Sequence, residues 1–321
     1  MAKVLGIGNA LVDILIKLKD DTLLSSFSLP KGSMQLVDKD FARKLEKAAD
    51  ELDKQQASGG SAANTIHGLA QLGIKTGFIG KVGSDTLGNF FREDMEKSGI
   101  NPILFHGQSD TGRAVTLISP DSERTFAVYL GAALEQTSDE INSALFEGYQ
   151  YLHIEGYLVQ NHELIETALK LAKQNNLMVS LDLASYNVVE DNCDFLKACV
   201  AGYVDIIFAN EEEAKAFTGK EPEEALVDLA DITEIAVVKI GEKGSLIMKN
   251  NEFYKVGIVK ANCIDTTGAG DLYAAGFLYG LINDLPPGES GEIGALLSGK
   301  VIENIGAKIN RNTWNEIKNN L

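Results

Sequence analysis

Asp265-Thr266-Thr267-Gly268-Ala269-Gly270-Asp271 runs directly into the apolar stretch Leu272-Tyr273-Ala274-Ala275-Gly276-Phe277-Leu278. The pattern predicts a glycine turn that opens a buried helix, with Asp271 in its first turn. Glycines allow the backbone to aim several N–H groups at one point, and a helix N-terminus adds partial positive charge there, so the turn suits an anion such as phosphate. A carboxylate beside that anion has two readings. It can sit at the helix start and gain from the dipole alone, or it can take the proton of a hydroxyl that attacks a phosphoryl group. Two glycines flanking the turn exceed what a cap requires, which favours the second reading.

A second small-residue loop, Ser58-Gly59-Gly60-Ser61-Ala62-Ala63-Asn64, precedes the helical pattern Ile66, Leu69, Ala70, Leu72 and the stop at Gly73. Its glycines let a polar ligand approach the backbone, and Asn64 can donate and accept from the first helical turn. A packing turn with Asn64 as an ordinary cap is the alternative. Elsewhere, short apolar strands at residues 4–7, 77–79, 151–154, 178–182, 206–209 and 236–240 alternate with helical patterns such as 41–52, 87–98, 162–175 and 211–218. That rhythm marks βαβ units around a parallel sheet. Two stretches break it: 12–18 with 33–37, and 111–119 with 124–130, each reading as a strand pair without an intervening helix. The turn Pro120-Asp121-Ser122 makes the second pair a hairpin. These strands fit either an antiparallel edge of the main sheet or a separate small unit.

At 321 residues, with 45% hydrophobic content, the chain is long enough for one large α/β domain and a small appendage. Its 46 acidic against 29 basic residues, a net charge of −17, argue against nucleic-acid or anionic-membrane partners, which need basic patches. A phosphate ligand must therefore be held by local donors and metal. Cys193, Cys199 and Cys263 form no Cys-x-x-Cys pair, which fits a reduced, cytoplasmic compartment. Asp13 interrupts the apolar stretch that starts at Met1, no small-residue cleavage site follows, and no run approaches the roughly 18 apolar residues of a membrane span. His67, His106, His153 and His162 lack metal-ligand spacing. Gly6-Ile7-Gly8 has Leu11 where a dinucleotide fingerprint needs its third glycine, and the chain contains no P-loop.

The two small-residue loops, in this order and spacing, resemble the paired signatures of the PfkB carbohydrate-kinase family, which includes ribokinase, fructokinase and adenosine kinase. The resemblance extends over nearly the whole chain. It implies an α/β, ribokinase-like three-layer αβα sandwich with a mainly parallel central sheet, residues 1–10, 38–108 and 131–321, and a small β-sheet lid, residues 11–37 and 109–130. It also implies ATP-dependent phosphoryl transfer to the primary hydroxymethyl group of a ribose-like substrate. Asp271 would be the base, and the amides of Gly268, Ala269 and Gly270 would stabilise charge on the transferring group.

Further roles follow from the same resemblance. Asn9 and Asp13 look like the family's diol-binding pair, assisted by Gly59, Gly60 and Asn64. A buried carboxylate is costly unless it accepts such hydroxyl protons, a solvent-facing strand edge being the other reading of Asp13. Asn210 and Glu213, within Asn210-Glu211-Glu212-Glu213, resemble the Asn-x-x-Glu motif that organises Mg2+ and its waters. The same two residues read as a capping box, and both roles can hold. Lys239-Ile240-Gly241-Glu242-Lys243-Gly244 resembles the nucleotide-side loop, in which Gly241 and Gly244 let ATP lie against the backbone. Lys239 stands where many relatives carry a hydroxyl residue. Asn304 is expected to border the adenine, and Asp265 and Thr267 to sit near a monovalent cation, K+. Arg124 matches a lid arginine of adenosine kinases that reaches the transferred phosphate; a solvated hairpin arginine is the plain alternative, and Arg113 is a competitor. Glu155 resembles the sugar-hydroxyl carboxylate of ribokinase, and Tyr157 can stack on a base. The spacing from Gly8 to Asp13 and the loop 59–64 look closer to adenosine kinases, so adenosine is the expected substrate. A ribokinase- or fructokinase-like sugar kinase is the alternative, and a non-catalytic ligand-binding protein on this fold is a third reading. A small-molecule substrate and ATP are the expected partners of a monomer or homodimer.

Overall fold

In the computed structural model, which describes residues 2–121 and 123–321, the strands in chain order are β1 Lys3–Ile7, β2 Leu11–Lys17, β3 Met34–Leu36, β4 Lys54–Gly59, β5 Lys75–Val82, β6 Ile100–His106, β7 Gly112–Ile118, β8 Arg124–Tyr129, β9 Tyr151–Glu155, β10 Met178–Asp182, β11 Ile206–Asn210, β12 Ile235–Lys239, β13 Ser245–Lys249 and β14 Glu252–Val256. Nine of them form one sheet in the order β14-β13-β12-β11-β10-β9-β1-β5-β6. All neighbours in it run parallel except β12 with β13 and β13 with β14. Both faces of this sheet are covered, which is why its strands read as continuous apolar runs. In β11, Ile206 and Phe208 enter one core while Ile207 and Ala209 enter the other. Helices Ser61–Gln71, Ala269–Ile282 and Pro287–Val301 cover the first face. Helices His162–Gln174, Cys193–Tyr203, Glu211–Thr218 and Pro222–Ala230 cover the second, completing three layers.

The helix Ala269–Ile282 buries Leu272, Ala274, Ala275, Phe277 and Leu278, so it is apolar on all sides. It lies between the sheet, where Phe277 meets Phe208 edge-on with ring centroids 5.5 Å apart, and the helix Pro287–Val301. No helix among the described residues is long and apolar enough to cross a membrane.

The other five strands form a separate small sheet in the order β3-β8-β7-β2-β4. The hairpin of β7 and β8 forms as expected, with Ile118 opposite Arg124; Ser122 of its turn and Met1 lie outside the described residues. The pairing expected between 12–18 and 33–37 does not occur. A short helix, Thr22–Ser26, intervenes, β3 pairs with β8, and β2 lies between β4 and β7. Strand β4 falls inside the segment 38–108 assigned to the large unit, yet it pairs with β2 in the small sheet. Gln55 and Gln56 in β4 are exposed, and a polar edge strand shows none of the apolar alternation by which strands are recognised.

Candidate active site

Asp182 ends β10, Asn210 ends β11 and Lys239 ends β12, and all three line a cleft of about 960 Å³ at the carboxyl edge of the main sheet. Open α/β sheets leave their crevices there, because the chain departs to opposite faces beyond the strand ends. The small sheet roofs the cleft through Leu11, Leu15, Ala114, Thr116 and Phe126, which establishes it as a lid.

The floor is the glycine turn. Gly268 precedes the helix Ala269–Ile282 at φ 77°, with no side-chain cap. An added Cβ there would lie 2.5 Å from Cβ of Ala307, so only glycine fits both the conformation and the space. The N–H of Ala269 turns back to the carbonyl of Thr266 at 3.1 Å, so the expected contribution of Ala269 to the anion site is already spent. The amides of Gly268, Gly270 and Asp271 have no such partner among the described residues and are the donors left for an anion.

Asp271 is gripped from the neighbouring helix Ser61–Gln71. Ser61 Oγ donates to its Oδ1 at 2.7 Å, Asn64 Nδ2 donates to its Oδ2 at 2.9 Å, and Thr65 Oγ1 donates to its carbonyl at 3.1 Å. Burial pushes the Asp271 carboxyl up to about 6, while the bonds from Asn64 and Ser61 pull it back. It is therefore ionised at neutral pH yet basic enough to accept a proton. Gly60, at φ 101°, starts the gripping helix, and a Cβ there would come within 2.2 Å of the Asn9 carbonyl oxygen. Asn64 thus serves the carboxylate in this structure, and Ser61, which sequence reasoning passed over, does the same.

The opposite wall is acidic. Asn210 Oδ1 accepts from the N–H of Glu213 at 2.8 Å, and the Glu213 carboxylate accepts from Asn210 N at 2.8 Å and Asn210 Nδ2 at 2.7 Å, a complete capping box. Burial pushes the Glu213 carboxyl up to about 7, and the nearby Asp182 carboxylate adds to the rise. Lys239 Nζ donates to Asp182 Oδ2 at 2.9 Å. No group of three or more Asp, Glu, His or Cys side chains converges to hold a metal among the described residues. Destabilised carboxylates with their oxygens partly spent on a cap suit the outer contacts of a Mg2+ ion carried in by phosphates and waters, not an all-protein cage.

Asp13, Tyr157, Gly241, Gly244 and Thr267 also line the cleft. Burial pushes the Asp13 carboxyl up to about 7, and a Cβ at Gly59 would lie 2.4 Å from that carboxylate, so Gly59 is the seat on which it rests. Several expected site residues lie elsewhere. Glu155 Oε1 accepts from Asn9 N at 2.9 Å and Asn9 Nδ2 at 2.7 Å, while its Oε2 accepts from Ala62 N at 2.9 Å. Asn9 and Glu155 are both buried beneath the loop and do not line the cleft; burial pushes the Glu155 carboxyl up to about 7. Arg124 pairs through Nε with Asp265 Oδ2 at 3.1 Å and donates to the Ile264 carbonyl, which joins the lid to the glycine turn. Asp265 also accepts from Thr267 N at 2.9 Å and Gly306 N at 2.7 Å. Arg113 is buried against Glu46 at 3.0 Å and Asp110 at 3.3 Å. Asn304 Nδ2 donates to the Lys300 carbonyl at 2.9 Å, and Ser298, Gly299 and Ile302 line that end of the cleft instead.

Two further residues went unnoticed in the sequence. Asp182, an acid ending an apolar strand, carried a signal that could have been read. Lys308 carried none: its Nζ is buried without a hydrogen-bond partner, and burial pulls its pKa down to about 8 against the opposing pull of Asp94 and Asp13.

Free amides at a helix start, a hydrogen-bonded carboxylate beside them and an acidic wall opposite define a phosphoryl-transferring α/β enzyme. The chain belongs to the pfkB family of carbohydrate kinases, whose model matches residues 34–314, and is accordingly an ATP-dependent phosphotransferase that requires Mg2+. A 5-dehydro-2-deoxygluconokinase of Geobacillus kaustophilus strain HTA426 is 31% identical over 273 residues, covering 76% of this chain and 78% of that protein. Among solved structures, a probable sugar kinase from Rhizobium etli CFN 42 superposes with a TM-score of 0.88 at 33% identity, covering 99% of this chain and 98% of that one. The adenosine kinase from Sinorhizobium meliloti superposes with a TM-score of 0.87 at 33% identity, covering 100% of this chain and 99% of that one.

Proposed function

We propose that the enzyme phosphorylates the primary hydroxyl of a nucleoside, with adenosine as the substrate that fits best. The observation that carries this reading is the lid's inner face. Leu11, Leu15, Ala114 and Phe126 of the lid, and Tyr157 of the large unit, give the cleft an apolar part of its lining. A free sugar carries hydroxyls around its whole rim and would leave them unpaired against such a wall, whereas a nucleoside offers an apolar base there and a diol elsewhere. Asp13, half-buried and lining the cleft, is the carboxylate that would accept from that diol. The sugar-kinase alternative leaned on Glu155, whose carboxylate is committed to Asn9 and Ala62. It keeps support from the names of relatives, which divide between adenosine and sugar kinases.

In this reading Asp271 takes the proton of the attacking hydroxyl, Ser61 and Asn64 hold its two oxygens in place, and the free amides of the turn meet the oxygens of the transferring group. Magnesium, when bound, neutralises charge on the nucleotide phosphates, with Asn210 and Glu213 holding its waters. The lid, tied down by Arg124 on Asp265, excludes water from the cleft. With Arg124 already supplying a positive charge at Asp265, the K+ expected beside Asp265 and Thr267 has a resident competitor.

A rate panel of adenosine, 2′-deoxyadenosine, inosine, ribose and fructose at fixed ATP tests the proposal. Adenosine should show the highest kcat/KM. Loss of the 2′-hydroxyl should cost about 1–3 kcal/mol by leaving Asp13 under-satisfied, and Asp13→Ala should erase most of that difference. Preference for a free sugar would replace the nucleoside reading with the sugar-kinase one.

A further inference from the structure

The cleft is lined by many carboxylates, Asp182, Glu211, Glu212, Glu213 and Asp271 among them, and by a single cation among the described residues, Lys239. A triphosphate entering so acidic a cleft meets repulsion except where metal or this ammonium offsets it. Lys239 is not placed as a surface charge. It ends β12, its side chain is 16% exposed, and Asp182 holds Nζ at 2.9 Å. The backbone of the glycine turn comes close from the other side, since a Cβ on Gly270 would lie 3.1 Å from Nζ. An ammonium has three donors, and the bond to Asp182 uses one. The remaining two have no partner among the described residues, and Nζ lies beside Gly270 of the glycine turn. Burial alone would pull the lysine's pKa down, but Asp182 and Glu213 hold it above the ordinary lysine value, so the charge is permanent at neutral pH.

We propose that Lys239 is a catalytic residue whose ammonium contacts the oxygens of the transferring phosphoryl group, and that Asp182 is the positioning residue that aims it. This rests on the kinase reading and goes beyond it, because it moves Lys239 from the nucleotide-side loop, where it was expected, to the reaction centre. The ammonium and the amides of the turn approach the same group from two sides, and as the charge on that group is redistributed during transfer, fixed donors need not reorganise.

The test uses the full-length enzyme with Lys239→Met, Lys239→Arg and Asp182→Asn. Turnover is measured with the fastest acceptor of the panel, and calorimetry follows binding of Mg·ADP with and without aluminium fluoride, a mimic of the transferring group. Lys239→Met is expected to lower kcat by about 10²–10³-fold while KM for ATP stays within about threefold. It should also lose the tightening of ADP that aluminium fluoride produces in the wild type. Lys239→Arg, which keeps the charge, should restore part of both. Asp182→Asn should lower kcat by about tenfold with the same split. It preserves the shape of the buried pair, so it carries the test if Lys239→Met does not fold. Unchanged kcat and unchanged aluminium-fluoride tightening in a folded Lys239→Met would overturn the role of Lys239 and leave the kinase reading standing. A wild-type protein that bound neither ATP nor ADP would overturn both.

Discussion

Two helix N-termini face one cleft and are finished in opposite ways. At Gly268 the helix Ala269–Ile282 begins without a side-chain cap, and its turn leaves amides free. At Asn210 the helix Glu211–Thr218 begins with a closed capping box and three glutamates in its first turn. Both carry the same partial positive charge, since the dipole depends on the peptide groups and not on the side chains. What differs is who uses it. The capped end spends the amides of Asn210 and Glu213 on the box and surrounds the rest with carboxylates, which repel a bare anion. The open end keeps its donors for the ligand and places one hydrogen-bonded carboxylate, Asp271, beside them. In the proposed mechanism one terminus handles a cation and the other an anion, as phosphoryl transfer from a metal-bound nucleotide needs.

Removing the proposed base at the open end should have the largest effect. Asp271→Asn is expected to lower kcat by about 10²–10⁴-fold while nucleotide and acceptor still bind, because the amide keeps the bonds of Ser61 and Asn64 in reach but cannot take a proton. Near wild-type turnover would remove Asp271 from the mechanism. Next comes Gly268→Ala, which closes the open end sterically. At φ 77° and with Ala307 2.5 Å from the new Cβ, the turn must shift. Turnover should fall by about 10–100-fold, and an unchanged rate would show that the amides need no exact placement.

At the capped end the effect should be smaller and different in kind. Replacing Asn210 by Ala together with Glu213 by Gln should raise the Mg2+ concentration for half-maximal rate and cost about 0.5–2 kcal/mol of stability through the lost cap. Acceptor binding measured without ATP should not change; if it did, these residues would face the wrong part of the cleft. The smallest effect reaches beyond the two ends to buried carboxyls around the cleft. Asp13, Glu155 and Glu213 have carboxyls raised to about 7, against ordinary values of 3.8 to 4.5 in the unfolded chain. The folded state therefore takes up protons that the unfolded state does not as pH falls through 7. The nucleotide-free protein should melt at a higher temperature at pH 6.5 than at pH 7.5. The buried, neutral His67 and His153 oppose the trend from the lower part of that window downward, since the unfolded chain protonates them around pH 6.5; three raised carboxyls outweigh two histidines within it. A melting temperature that fell between pH 7.5 and 6.5 would show that these carboxyls are not desolvated as the structure places them.

Much of this was present in the order of residues. The open helix start could be read because Gly-Ala-Gly before an apolar run has few uses, and the central strands because burial on both faces leaves unbroken apolar stretches. Strand β4 could not, since Lys54, Gln55 and Gln56 follow one another as polar residues and leave no apolar alternation to read. The pairing of β3 with β8 was invisible too, because register is set across distant segments and not within one.

For single residues the division is sharper. The sequence by itself determined the glycine turn, the helix it opens and the carboxylate beside it, because those depend on backbone conformation and neighbours within a few positions; which amides stay free it did not, since Ala269 N turns back on Thr266 and the amide of Asp271 is left in its place. Only the tertiary structure decided which side chains answer that carboxylate. Ser61 and Asn64 reach it across 210 and 207 residues of chain. Glu155 was drawn beneath the loop by the backbone of Asn9 and Ala62, Arg124 was turned onto Asp265, and Lys239 was brought beside Gly270 at the end of β12. A charged side chain settles where the nearest opposite charge and unpaired donors are, and those partners come from distant strands and loops that only the folded chain brings together.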